Sequence, residues 1–201
     1  MNRRLEAILA SHNLGKIREF QELFRDSPII LKPWEGHGEI VDETGSTYHQ
    51  NALLKAQTVV ESTGLPALAD DSGIEVDALG GLPGVRSARF VSDNPWYNSR
   101  EILLRLLTVA PPLRTARMRA VLCLSVPGHA PVYAEGVLEG TILMWPQGHH
   151  GFVMDPIFSV DGHRSLGDYP DAQKNAMSHR ARAVTALIEE LKNHASLLGD
   201  K

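Results

Sequence analysis

Only one cysteine, Cys123, occurs in the 201 residues, inside the apolar run Ala120-Val121-Leu122-Cys123-Leu124. A single thiol closes no disulfide within the chain and builds no zinc cluster. It reads as a buried structural thiol rather than a nucleophile. Long apolar runs are also missing, and none approaches the ~20 residues a helix needs to span a bilayer. The segment after Arg3 and Arg4, Ala7-Ile8-Leu9-Ala10, is too short for a signal peptide. No membrane partner and a cytoplasmic setting are therefore expected. Positive charge is in deficit: 20 Lys and Arg stand against 24 Asp and Glu, a formal net charge of -4. A chain that grips a nucleic-acid polymer needs a basic face to displace counterions, so that class is disfavoured. A single nucleotide, which needs only a few local cations, is not. Internal repeats and low-complexity segments are absent.

What is present is ordinary for a globular protein, with 43% hydrophobic and 22% charged residues. A chain of this length can bury a sizeable core as one domain over residues 1–201. Residues 5–10 read as a strand, and residues 17–24 as a helix with an apolar face at Ile17, Phe20, Leu23 and Phe24. Between them lies the polar stretch Ser11-His12-Asn13-Leu14-Gly15-Lys16. A strand-to-helix junction presents helix amides and a dipole that favours anions. Residues 29–31 suggest a short strand. A helix capped by Ser46 or Thr47 is expected to run to about Ser62, placing Asn51 and Lys55 on one face.

Residues 67–90 are the densest stretch. A short apolar run leads into Asp70-Asp71-Ser72-Gly73, and Gly80-Gly81-Leu82-Pro83-Gly84 follows as a glycine-rich loop. Successive strand side chains point to opposite faces, so Asp70 and Asp71 cannot both serve one site. One should face a cleft while backbone donors hold the other. Further on, residues 97–107 read as a helix, and residues 115–126 and 132–142 as two strands of a hairpin. Residues 174–194 read as one last helix, with Ser178 able to cap within it and Leu187, Ile188 and Leu191 as its buried stripe. Cations at Lys174, His179 and Arg180 are unfavourable at a helix start unless an anion lies nearby. The strand–helix alternation over residues 5–71 indicates an α/β fold.

These segments resemble one known family. Residues 67–90 are similar, almost without interruption, to the ADDSGLxVDALGGxPGVxSAR signature of the inosine/xanthosine triphosphate pyrophosphatases, the Ham1-like family. Ser11, Asn13 and Lys16 match its S/T-x-N-x-x-K pattern. Residues 43–56 match E-x-G-x-T/S-F-x-x-N-A-x-x-K-A with Tyr48 for Phe, and residues 174–180 match K-N-x-x-S-H-R. Residues 151–158 resemble G-F-G-Y-D-P-I-F with two departures, Val153 for Gly and Met154 for Tyr.

The resemblance implies an elongated central mixed β-sheet flanked by helices, with two lobes around a substrate cleft, and a homodimer. It also implies Mg²⁺-dependent hydrolysis of non-canonical purine nucleoside triphosphates (inosine, deoxyinosine, xanthosine) to monophosphate and pyrophosphate. Carried over residue by residue, Asp71 accepts the proton of the attacking water and ligates Mg²⁺, with Glu43 as second ligand. Ser11, His12, Asn13, Leu14, Gly15 and Lys16 cradle the phosphates, with Lys55 and Ser72 nearby. Phe152 stacks on the base, flanked by Val153 and Met154, while Asp155, Lys174, His179 and Arg180 surround base and sugar. Asp70 is expected to be structural. The alternatives are a nucleotide-binding protein without turnover, or the same chemistry on another modified nucleotide.

Overall fold

The computed structural model describes residues 4–36, 43–149, 151, 154–194 and 197. Six strands form one mixed sheet in the order β2-β1-β3-β4-β5-β6. The strands are β1 (Leu5–Leu9), β2 (Ile29–Pro33), β3 (Ala67–Val76), β4 (Thr115–Ser125), β5 (Val132–Ile142) and β6 (Phe158–Ser159). β1 pairs in parallel with both β2 and β3, whereas β5 and β6 pair antiparallel. The helices are α1 (Leu14–Leu23), α2 (Tyr48–Thr63), α3 (Pro95–Arg105), α4 (Asp171–Met177) and α5 (His179–Asn193). No helix among the described residues is long and apolar enough to cross a membrane.

The chain folds into two compact units. The first comprises Met1–Asp71, Ala120–Gly136 and Arg180–Lys201; the second comprises Ser72–Arg119 and Val137–His179. β3, β4 and β5 each contribute residues to both.

In the first unit, α1 is started by Asn13, whose side chain accepts from the amides of Gly15 and Lys16. This satisfies two of the donors that every helix leaves orphaned at its N-terminus. α2 is capped by Thr47, which accepts from the Gln50 amide, and stops at Gly64, whose φ of 69° suits glycine. Its buried face, Ala52, Ala56 and Val59, has small residues at helical spacing. The core gathers Leu9, Phe20, Phe24, Ile29, Leu68, Leu122, Leu124, Leu187 and Leu191, from β1, α1, β2, β3, β4 and α5.

In the second unit, Asn94 caps α3 and Pro95 occupies its first turn, where a missing N–H costs nothing. The core joins Ile74, Val76, Ile102, Leu106, Met118, Leu138, Ile142, Ile157 and Phe158. Buried Asn98 ties the segment after β3 to α3, accepting from the amides of Val91 and Ser92 and donating to the carbonyls of Ala88 and Ser92.

The structure changes one helix assignment. The single helix expected over residues 174–194 is two, because Ser178 is extended (φ -66°, ψ 158°) between α4 and α5. That kink lets α5 begin afresh at His179 and Arg180.

Candidate active site

The site in the first unit is built around the adjacent carboxylates of β3. Strand alternation separates them: Asp70 meets groups from α1 and α5, and Asp71 meets groups from α2. Asp70 Oδ2 lies 2.6 Å from Lys16 Nζ and 3.7 Å from Arg180 Nε. Arg180 Nη1 in turn donates to Glu19 Oε2 at 3.0 Å. Burial alone would raise the Asp70 carboxyl, but Lys16 and Arg180 outweigh it and hold the group well below the usual carboxylate range. Lys16 and Arg180 are thus two cations that meet the Asp70 carboxylate. The anions that stabilise Arg180 at the start of α5 are Glu19 and Asp70.

Asp71 has the opposite environment. Asn51 Nδ2 donates to its Oδ2 at 3.1 Å, and Lys55 Nζ lies 3.3 Å from its Oδ1. The same ammonium is 2.5 Å from Glu43 Oε1. One residue of α2 therefore bridges two carboxylates, and Asn51, one turn earlier, reaches the same aspartate. Asn51 Oδ1 also accepts from the Gly45 amide at 2.8 Å, which anchors the segment carrying Glu43. A Cβ at Gly45 would lie 2.5 Å from that oxygen, so the segment can approach only as glycine. Burial pushes the Asp71 carboxyl up to about 6; Lys55 opposes the shift and the Glu43 charge adds to it. For Lys55, burial disfavours the charge, but Asp71 and Glu43 prevail and keep the ammonium protonated.

The two clusters differ in arrangement. Lys16 and Arg180 face Asp70 and Glu19, two against two. In the second cluster Lys55 faces both Glu43 and Asp71, so two carboxylates lie within reach of one cationic atom. Among the described residues no three His, Cys, Asp or Glu side chains converge on a metal cage. That donor set suits Mg²⁺, which takes one or two carboxylates and fills its octahedron with waters and phosphate oxygens.

The stretch from Ser11 to Lys16 contributes less backbone than expected. The Gly15 and Lys16 amides are engaged by the Asn13 cap, and Ser11 Oγ accepts from the Asn13 amide. His12 stacks on Trp34 with ring centroids 4.9 Å apart, and Leu14 is exposed. The Lys16 ammonium is the group this segment carries into the cluster.

The second unit holds Ser72, Met154, Asp155, Lys174 and His179. Lys174 Nζ lies 3.3 Å from Asp155 Oδ2, and both side chains are buried. His179 is buried at the start of α5, and Ser72 is half-buried in β3. Met154 packs into the apolar core of this unit. Phe152 and Val153 lie outside the described residues. Gly151, at φ +86°, has no room for a side chain, because a Cβ would overlap the Asp155 carboxylate. Gly151→Ala is expected to lower stability by about 1–3 kcal/mol, a few degrees in Tm by calorimetry. An unchanged Tm would show that the Asp155 side chain yields freely.

Two residues of the site escape a reading by motif. Asn51 falls inside a matched block, but only the fold reveals its double hydrogen bond. Glu19 lies one helical turn beyond Lys16, on the same face of α1, beside buried Phe20. A carboxylate on the edge of an apolar stripe is the signal that could have found it.

Residues 7–190 match the Ham1 family. The chain is 41% identical to a dITP/XTP pyrophosphatase of Symbiobacterium thermophilum, over 92% of this chain and 93% of that protein. It is 38% identical to a dITP/XTP pyrophosphatase of Bacillus subtilis, over 93% of this chain and 97% of that one. Among solved structures, a HAM1 protein from Coxiella burnetii superposes with a TM-score of 0.81 at 38% identity, covering 94% of this chain and 99% of that one.

Proposed function

The chain belongs to the Ham1 family, and from that premise we propose that it is a nucleoside-triphosphate pyrophosphohydrolase acting on deaminated purine nucleotides, dITP, ITP and XTP. The observation that carries the reading is the Glu43–Lys55–Asp71 cluster, where two carboxylates meet one ammonium, beside the Lys16–Asp70 pair. Asp71 and Lys16 are close enough to influence each other electrostatically.

Glu43 and Asp71 would hold a Mg²⁺ ion, which when bound neutralises polyphosphate charge and orients it. Lys16 adds a positive charge at the head of α1, where the helix dipole already favours an anion. Asp71, raised to about 6 yet ionised at neutral pH, is matched to accept a proton. A water oxygen attacks the α-phosphorus and gives its proton to Asp71. The bond from the α-phosphorus to the bridging oxygen then breaks, and pyrophosphate departs with that oxygen. Asn51 holds the carboxylate through Oδ2 and thereby fixes the direction of Oδ1. In this reading Asp155, Lys174 and His179 recognise base and sugar, as does Phe152. Family membership further supports a cytoplasmic homodimer.

The test is pyrophosphate release, with Mg²⁺, from dITP, ITP, XTP, dATP and dGTP side by side. The deaminated nucleotides are expected to exceed dATP in kcat/KM by about a hundredfold or more. A site that donates to a 6-oxo group leaves buried donors unpaired against a 6-amino group. Equal rates on all five would reject the selectivity. No release from any, with nucleotide still bound, would favour a binding protein.

A further inference from the structure

We propose that Lys55 is the internal counter-ion of the Glu43–Asp71 pair, holding the two carboxylates together until a divalent cation takes its place. The inference rests on the reading of those carboxylates as a cation site and adds a role for the lysine. Lys55 Nζ is 2.5 Å from Glu43 Oε1 and 3.3 Å from Asp71 Oδ1, so one nitrogen contacts both carboxylates. A divalent cation held by the same two carboxylates would compete with the ammonium for the space between them. The lysine is nearly buried, with its side chain 10% exposed. Its ammonium touches both carboxylates.

Without a cation, buried Asp71 and half-buried Glu43 would repel each other, and one would take up a proton or swing away. Lys55 opposes both. Its charge comes on a four-carbon stem with rotatable bonds, so the ammonium can withdraw without moving α2. Asn51, bonded to the Gly45 amide and to Asp71, holds the Asp71 carboxylate and anchors the segment carrying Glu43 during the exchange.

A counter-ion competes with the metal, whereas a purely structural lysine supports the metal site. The two roles predict opposite signs. Mg²⁺ binding to the nucleotide-free full chain is measured by calorimetry at pH 8, for the parent, Lys55→Met and Lys55→Arg. Lys55→Met is expected to bind Mg²⁺ about tenfold more tightly, because the competing charge is gone. Lys55→Arg, which keeps the charge, should stay within about twofold to threefold of the parent. The metal-free Tm of Lys55→Met should fall, and saturating Mg²⁺ should close most of the gap. Equal or weaker Mg²⁺ binding by Lys55→Met, with the parent binding normally, overturns the counter-ion role alone. No Mg²⁺ binding by any of the three overturns the cation site as well. If Lys55→Met fails to fold, Lys55→Gln carries the same comparison.

Discussion

Asp71→Asn is expected to leave a folded protein that releases pyrophosphate from dITP about a thousandfold more slowly than the parent. The amide cannot take a proton from water, and positioned general bases contribute roughly 10²–10⁴. Under the proposal that Asp71 also ligates Mg²⁺, the substitution weakens that site as well and adds to the loss. The fold should survive. An asparagine oxygen can still accept from Asn51, and Lys55 keeps Glu43.

The pH dependence of the parent follows from the same group. Asp71 titrates near 6 in the folded, metal-free protein, above its ordinary value of 3.8. Because the value is raised, its contribution to stability is complete below the unfolded value and is lost as pH rises through about 6. Asparagine removes that loss, so at pH 8 the variant should unfold at a temperature no lower than the parent. Activity at limiting substrate should fall below about pH 6, where the base becomes protonated. Rates near those of the parent in Asp71→Asn would strip Asp71 of the base role.

Its neighbour should behave in reverse. Asp70→Asn is expected to cost about 3–5 kcal/mol of stability, because it leaves Lys16 and Arg180 without their shared buried anion. In a chain of this size that is roughly a 10 °C fall in Tm at pH 7, by differential scanning calorimetry. The sign with pH is also opposite. The Asp70 carboxyl is held below its ordinary value, so its stabilisation is present at neutral pH and lost as pH falls below about 4. The gap between parent and variant should therefore narrow in acid. A shift of less than about 2 °C at pH 7 would mean that Glu19 alone satisfies Arg180 and that Lys16 finds solvent.

The division of labour between these two aspartates is legible in the sequence only as a rule of alternation. That a strand sends Asp70 and Asp71 to opposite faces follows from their adjacency. Which face meets Lys16 and Arg180 and which meets Lys55 depends on where α1, α2 and α5 pack, and no local pattern encodes that. Asn51 and Lys55 are readable as one helical face because four residues make one turn. Their convergence on Asp71 depends on β3 lying beside them. The strand–helix alternation of residues 5–71 survives in the fold because its apolar spacing is strong and its caps, Asn13 and Thr47, are chemically explicit. The break at Ser178 is hidden because serine is compatible with both a helix interior and an extended link. Met154 illustrates the opposite limit: its packing in the core of the second unit is visible only in the fold.

The solitary thiol has a consequence for the molecule at work. Cys123 is sealed in β4, where burial pushes it up to about 12 against the pull of a hydrogen bond with Tyr133. So little of it exists as thiolate that peroxides and mixed disulfides have almost no reactive sulfur to attack. Under the proposed mechanism, which uses carboxylates and lysines, catalysis does not depend on a thiol. Nucleotide cleansing by this chain should continue undimmed through an oxidative burst that silences enzymes built on cysteine.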